Sequence, residues 1–357
     1  MLRTTWRKLT DLYAATTLLW ALAWRGFGDR WGLLGMANAW AFWLLGTGTL
    51  AGGVSLWRRA RWPAVGWLAG GAALLATRYR YLWRRPQPSM PDDDPPGDWT
   101  LRVLSFNLLV YDVDPPATLA LLRRIPADLL LFQELSDAMA DRIERALLTY
   151  RYRYRHPHPN NCGGFGVLSQ VPFAVTGAWT SAYDRQFALR LTLAGSGGPL
   201  DVYNIHLLAP TDKDLARHGF DGNFRLREEQ IALILAEVER RGLPALLMGD
   251  HNLTEGSDAY RMLTARLIDA WAQVGRGPGW TWPRSLYAAV RRHIPFLPLL
   301  RLDYCFVTPP LQARSLRVLW ERTGSDHCPI LAEVTLPATP ASHSASSPTP
   351  QRERTLV

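Results

Sequence analysis

Near the C-terminal end of the chain, the segment TGSDHCPI at residues 323–330 sets Asp326 beside His327. On a regular strand adjacent side chains point to opposite faces. The two serve one site only if the segment is a turn, or if one of them supports a neighbour. Further acid, amide and imidazole groups recur at the ends of short apolar runs. Ser105 and Asn107 share one face of LRVLSFNLLV, ADLLLFQEL closes in Gln133-Glu134, and LDVYNIHLL puts Asn204 and His206 on one face. LPALLMGDHN breaks at Gly249 into Asp250, His251 and Asn252, and LRLDYCFVT carries Asp303 within a strand. Taken singly, an Asp after Gly is more often a turn residue, and a lone His on a strand more often a satisfied structural group. Glu134 is harder to dismiss, because a carboxylate closing the apolar run Leu129–Phe132 is costly to bury without a cation or donors.

The elements that must position these groups alternate along the chain. PPATLALLRRI has its leucines in helical register, and SDAMADRIERALL opens at an N-cap, Ser136. FRLREEQIALILAEVERRG sets Leu226, Ile231, Leu233, Ile234 and Val238 on a broad apolar face and stops at Gly242. VLWERTGSDHCPILAEVTL reads as strand, turn, strand, with Asp326 and His327 in the turn. Strands interrupted by helices, with polar groups at the strand ends, describe a layered α/β arrangement that collects its site there.

The net charge of +9 invites a nucleic-acid partner, but its distribution argues against one. Residues 1–90 hold 12 Lys and Arg against 2 Asp and Glu, whereas residues 91–357 hold 28 against 29. Ten of the 16 tryptophans also lie in residues 1–90, beside the arginine clusters, as in interfacial membrane anchors. Trp31–Trp57 runs 27 residues without a charge, Trp62–Thr77 runs 16, and Leu12–Trp24 runs only 13, a length that also fits a signal-peptide core. Three spans, or a cleaved signal and two spans, both place the rest of the chain outside the cytoplasm, although the flanking arginines and lysine divide evenly and decide nothing. The expected organisation is a membrane region over 1–83 with two to three hydrophobic helices, a Pro- and Asp-rich linker over 84–100, one soluble domain over 101–336, and a disordered tail over 337–357. Cys162, Cys305 and Cys328 show no zinc spacing, and buried free thiols are favoured over a Cys305–Cys328 disulfide.

Asn107, Gln133-Glu134, His206, GDHN at 249–252, Asp303-Tyr304 and SDH at 325–327 stand together in the order seen in the endonuclease/exonuclease/phosphatase superfamily. The resemblance covers 101–336, and GFGVLS at 164–169 and the pair Arg227 and Gln230 agree with it. With its hydrophobic start, the layout is similar to the membrane-anchored, VanJ-like bacterial branch. The resemblance implies an α+β fold: a four-layer α/β/β/α sandwich of two packed mixed β-sheets flanked by helices, preceded here by N-terminal transmembrane helices. It implies a metal-dependent phosphoric ester hydrolase using Mg²⁺, with Mn²⁺ as a possible substitute. Glu134, Asn107 and Asp326 would hold the metal or its waters. Asp250 with Asn252 would orient and deprotonate the attacking water, His206 would donate to a phosphoryl oxygen, and His327 would face the phosphate with its tautomer set by Asp303.

The family usually writes an apolar residue where this chain has His251, which leaves that imidazole either adding a hydrogen bond at the site or pointing away. WTWPRSLYAAVRRHIPFLPLLRLDY at 280–304, with Arg291, Arg292 and His293, is either an ordinary helix and loop on the core or a lid facing a membrane. The tether, the near-neutral domain and this insert favour a phosphorylated, lipid-linked substrate such as a polyprenyl pyrophosphate, at the cell membrane and with no protein partner in view. A nuclease, a sphingomyelinase-like phosphodiesterase, and a non-catalytic envelope binding protein are the alternatives.

Overall fold

The computed structural model describes residues 2–57, 71–76, 79–83, 97–111, 114–158, 162–181, 185–210, 215–286 and 294–338. Twelve strands form two mixed six-stranded sheets among these residues. The first has the order β11-β12-β1-β2-β4-β3, with β1 (Trp99–Asn107), β2 (Leu129–Gln133), β3 (Tyr152–His156), β4 (Phe165–Ser169), β11 (Gln312–Val318) and β12 (Ile330–Leu336). The second runs β5-β6-β7-β8-β10-β9, with β5 (Phe173–Thr180), β6 (Gln186–Gly195), β7 (Gly198–His206), β8 (Ala245–Asp250), β9 (Ile268–Asp269) and β10 (Asp303–Val307). β1 with β2 and β7 with β8 are the parallel pairs, and the remaining neighbours are antiparallel.

Side-chain alternation decides what each face does. Leu101, Val103, Leu129 and Leu131 of the first sheet meet Leu191, Val202, Leu246 and Met248 of the second in one buried layer. The alternate residues of the first sheet, Leu104, Phe106, Leu130 and Phe132, face outward onto Leu122, Met139 and Ile143. Those three come from α4 (Pro115–Arg124) and α5 (Asp137–Ala146). On the far side Tyr203, Ile205, Leu247 and Phe306 pack under Ile231, Ile234, Leu235 and Val238 of α6 (Leu215–Arg241). The layers are therefore helix, sheet, sheet, helix, as expected. A Leu truncated to Ala in the central layer costs about 2–5 kcal/mol, because close packing leaves a cavity.

The helices begin and end for local reasons. Asp114 caps α4 by accepting from Ala117 N at 3.2 Å, ahead of Pro115 and Pro116, and Ser136 caps α5 through Met139 N at 3.3 Å. α6 stops where Gly242 takes φ 61°, a left-handed conformation that suits glycine. Its apolar face differs from expectation at one position. Leu235 is buried and Leu233 is exposed, because the stripe facing the sheet runs 231, 234, 235, 238.

The N-terminal region departs most from the sequence reading. The uncharged stretch Trp31–Trp57 is broken at Trp40 into α2 (Gly32–Ala39) and α3 (Ala41–Trp57), of 8 and 17 residues. At 1.5 Å per residue these reach roughly 12 and 26 Å, short of a hydrocarbon core of about 30 Å. α1 (Leu2–Phe27) has 26 residues, but Arg3, Arg7, Lys8 and Asp11 occupy its first half. Among the described residues, no helix is long and apolar enough to cross a membrane. Most of the stretch Trp62–Thr77, the linker residues 84–96 and the tail from 339 onward lie outside the described residues.

The N-terminal helices dock on the sandwich. Trp24 Nε1 donates to Gly256 O at 2.9 Å and Trp43 Nε1 to Leu299 O at 2.9 Å. Asp29 accepts from Asn38 Nδ2 at 2.7 Å and from Asp258 N at 2.8 Å, and Tyr81 OH donates to Glu255 at 2.7 Å. Asp258 begins α7 (Asp258–Thr264). The bonds to Gly256, Leu299, Asp258 and Glu255, buried or partly buried, join the N-terminal region to loops that neighbour the functional end of the sheets.

Candidate active site

Strand parity carries the polar groups to one place. On β1 the inward positions run Leu101, Val103, Ser105, Asn107, and on β7 they run Leu200, Val202, Asn204, His206. Both rows are apolar until the strand leaves the core. Register completes the convergence: Asn107 pairs with Gln133, His206 with Asp250, and Asp303 with Asp250. The C-terminal ends of both parallel pairs and the start of antiparallel β10 therefore share one end of the sandwich. The amides behind them bond one another, with Gln133 Nε2 donating to Asn204 Oδ1 at 2.6 Å and to Ser105 Oγ at 3.0 Å.

All eight site residues expected from the sequence meet there. Glu134, His206, Asp250, Asn252, Asp326 and His327 border a cavity of about 670 Å³. Asn107 and Asp303 stand directly behind it and hold its lining. Asn107 Nδ2 donates to Glu134 Oε1 at 3.2 Å and to Asp250 Oδ2 at 3.0 Å. Its Oδ1 accepts from Leu109 N at 3.1 Å, so the amide presents its NH₂ to the two carboxylates. Asn107 thus orients the two carboxylates through its NH₂. Asn252 does the same for Asp250, through its backbone N at 2.9 Å and its Nδ2 at 3.2 Å. Glu134 and Asn252 both take positive φ, 54° and 50°, which non-glycine residues hold only when their surroundings over-determine it.

The two histidines are in opposite electrostatic states. His327 Nδ1 lies 2.9 Å from Asp303 Oδ2, and its Nε2 lies 3.6 Å from Asp250 Oδ2. Burial alone would lower its pKa, but the Asp303 and Asp250 carboxylates and the bond to Asp303 hold it well above the usual histidine range. His206 is driven well below that range by burial and by the charges of Arg185 and His327, against a hydrogen bond to the Cys162 backbone. Arg185 Nη2 stands 3.3 Å from His206 Nε2 and, being a donor only, makes that nitrogen the acceptor. Arg185 is therefore a cationic donor on the cavity border, as is Arg227, and sequence reasoning missed Arg185 because it precedes β6 in no recognisable pattern. Asp250 is pushed upward by burial, with Asp303's charge adding, while His327, Asn252 and Asn107 oppose.

The turn 323–327 resolves why Asp326 and His327 are neighbours. Ser325 Oγ donates to Asn107 O at 2.7 Å and accepts from His327 N at 3.0 Å, which pins the turn to the end of β1. His327 then points at Asp303 and Asp250, while Asp326 Oδ2 accepts from Trp282 Nε1 at 3.1 Å on the cavity border. His251, by contrast, faces away. It is buried against the edges of Tyr304 and Phe306, with Nδ1 2.9 Å from Gly249 O and its pKa lowered to about 4 by burial. Cys305 and Cys328 are buried free thiols.

The sequence pattern of the Endonuclease/Exonuclease/phosphatase family matches residues 104–327, the whole stretch from β1 to the Asp-His turn. The chain belongs to this family. No curated relative matches the chain. Solved structures with the same fold include an endonuclease/exonuclease/phosphatase family protein from Bacteroides thetaiotaomicron, 16% identical, covering 67% of this chain and 99% of its own, with a TM-score of 0.52. D. rerio TDP2, solved in complex with a single-strand DNA product, is 18% identical over 66% of this chain and 98% of its own, with a TM-score of 0.53. The endonuclease/exonuclease/phosphatase from Bacteroides vulgatus is 18% identical, covers 66% and 98%, and has a TM-score of 0.50.

The donor set suits the divalent cation that this family implies. Ligand atoms of Asp250, Asp303 and His327 lie within 4.8 Å of one another, forming a candidate metal site among the described residues. Glu134 Oε1 faces the same centre, 3.6 Å from His206 Nε2, which also lies 3.7 Å from Asp250 Oδ2. The carboxylate oxygens of Glu134, Asp250 and Asp303 suit a hard cation such as Mg²⁺.

Proposed function

We propose that this chain is a membrane-anchored, metal-dependent phosphoesterase of the VanJ-like kind. It would hydrolyse a phosphate ester or pyrophosphate on a lipid-linked substrate such as a polyprenyl pyrophosphate, with the catalytic domain outside the cytoplasm. The observation that carries this reading is the convergence of carboxylates, His327 and Arg185 on one cavity that Met36, Trp40, Phe224, Leu253 and Leu300 also line. The exposed leucines of the N-terminal helices, among them Leu12, Leu19, Leu33 and Leu50, support a membrane-facing surface. Ile294, Phe296 and Leu297 of the 280–304 insert add exposed apolar area, while residues 287–293, including Arg291, Arg292 and His293, lie outside the described residues.

In this reading Asp250, steadied by Asn107 and Asn252, accepts the proton of the attacking water. Its raised pKa keeps it basic enough for that transfer near neutral pH. His327, held charged by Asp303, donates to a phosphoryl oxygen, and Arg185 takes the second donor role expected of His206. Glu134 and Asp326 would hold Mg²⁺ or its waters, and the ion would neutralise charge on the phosphoryl oxygens.

The test is phosphate release from a long-chain polyprenyl pyrophosphate by detergent-purified protein, run with Mg²⁺, with EDTA and as the Asp250→Ala variant. Release that needs both the metal and Asp250 is the expected result. Plasmid nicking or cleavage of a phosphodiester lipid instead would retain the chemistry and reassign the substrate. Silence on all three would favour a binding protein built on this fold.

A further inference from the structure

The active-site cavity has a wall that lies outside the family's matched residues 104–327. Gly35, Met36, Ala39 and Trp40, at α2 and its C-terminal end, line the same cavity as Glu134 and His327. The placement is built in. A Cβ on Gly35 would stand 2.7 Å from the Phe224 ring, and one on Gly32 would stand 2.1 Å from Phe220 Cβ, so only glycine lets α2 seat this closely on α6. Asn38 is fully buried and its Nδ2 donates to Gly28 O at 3.1 Å, and Trp43 packs at a tilt on Trp280 with ring centroids 4.9 Å apart. Phe224 and Leu300 extend the apolar side.

One cavity therefore has a charged end and an apolar flank, and about 670 Å³ falls within the range of sites that enclose a whole small ligand rather than an isolated anion. We propose that α2 is a specificity-determining wall of the active site, which receives the hydrophobic alcohol of a phosphate ester while its phosphate meets the charged end. This rests on the phosphoesterase reading for the bond broken, but not for the ligand bound. The occupant follows from continuity, because a group attached to a phosphate at His327 and Arg185 has the α2 flank in the same enclosure.

The experiment compares hexyl phosphate with inorganic phosphate by calorimetry on the full chain in Mg²⁺, alongside p-nitrophenyl phosphate hydrolysis. The wild type is expected to bind hexyl phosphate at least tenfold more tightly than inorganic phosphate, since each buried methylene adds to affinity. Ala39→Trp, which fills the flank, and Met36→Gln, which makes it polar at similar size, should each cut that ratio at least fivefold. Two α2 variants guard against one that fails to fold. Equal affinity for the two probes in the wild type, or a ratio unmoved in a folded variant, would overturn the proposal. A ratio that behaves as expected without any hydrolysis would leave the α2 wall in place and remove the catalytic reading instead.

Discussion

Asp303 Oδ2 holds His327 Nδ1 at 2.9 Å across 24 residues of chain, and that bond aims Nε2 toward Asp250. An imidazole steered in this way keeps one tautomer and one charge state, whereas a free ring would sample several. Replacing Asp303 with Asn preserves shape but removes the charge that stabilises the imidazolium. The expected outcome is a fall of roughly a hundredfold or more in kcat for Mg²⁺-dependent ester hydrolysis. The melting temperature should move by only a few degrees. Activity within threefold of wild type would remove His327–Asp303 from the mechanism.

His251 leads to the opposite expectation, although it sits next to Asp250 in sequence. Its ring is buried in the outer core, and Nε2 has no hydrogen-bond partner. A buried unsatisfied polar atom costs about 1–3 kcal/mol. His251→Phe should therefore leave hydrolysis within about twofold and keep or raise the melting temperature. A tenfold loss of kcat in a normally folded variant would place His251 in the site after all.

The third prediction concerns pH and stability far from the cavity. Glu237 is lowered to about 2 by the hydrogen bonds of Arg240 and then Arg190, against a burial effect that raises it. Its contribution is fully present above the ordinary carboxylate value near 4.5 and is lost as pH falls through 2. Because Arg240 is largely exposed, solvent screening reduces the effect to roughly 1 kcal/mol or less. Urea melts of wild type and Glu237→Gln should differ by that amount at pH 7 and converge near pH 2. A gap that persists at pH 2 would assign the stability to packing instead.

Much of the fold was legible because alternation is a local property. The apolar rows Leu101–Val103 and Leu200–Val202 announce inward faces, and Ser105–Asn107 and Asn204–His206 on the same parity announce where those faces reach the site. Ser136 and Gly242 mark helix ends through their own backbone preferences. Leu233 is exposed although the sequence pattern admits it to the apolar stripe of α6, because a broad apolar face leaves several residues equally placed and only the sheet beneath selects among them.

By itself, then, the sequence determined which chemical groups stand at the strand ends, since residue type and strand parity require no knowledge of neighbours. Tertiary structure decided which of them meet. Asp303 reaches His327, and Asn107 reaches Asp250 143 residues away, through sheet register and the packing of one sheet on the other. It also decided that His251 turns to the core, that Arg185 stands beside His206, and that α2 lines the cavity. The physical reason is that hydrophobicity has no direction. A stretch such as Trp31–Trp57 is equally content against lipid, a protein core or a substrate, and only the close seating at Gly32 and Gly35 chooses among them.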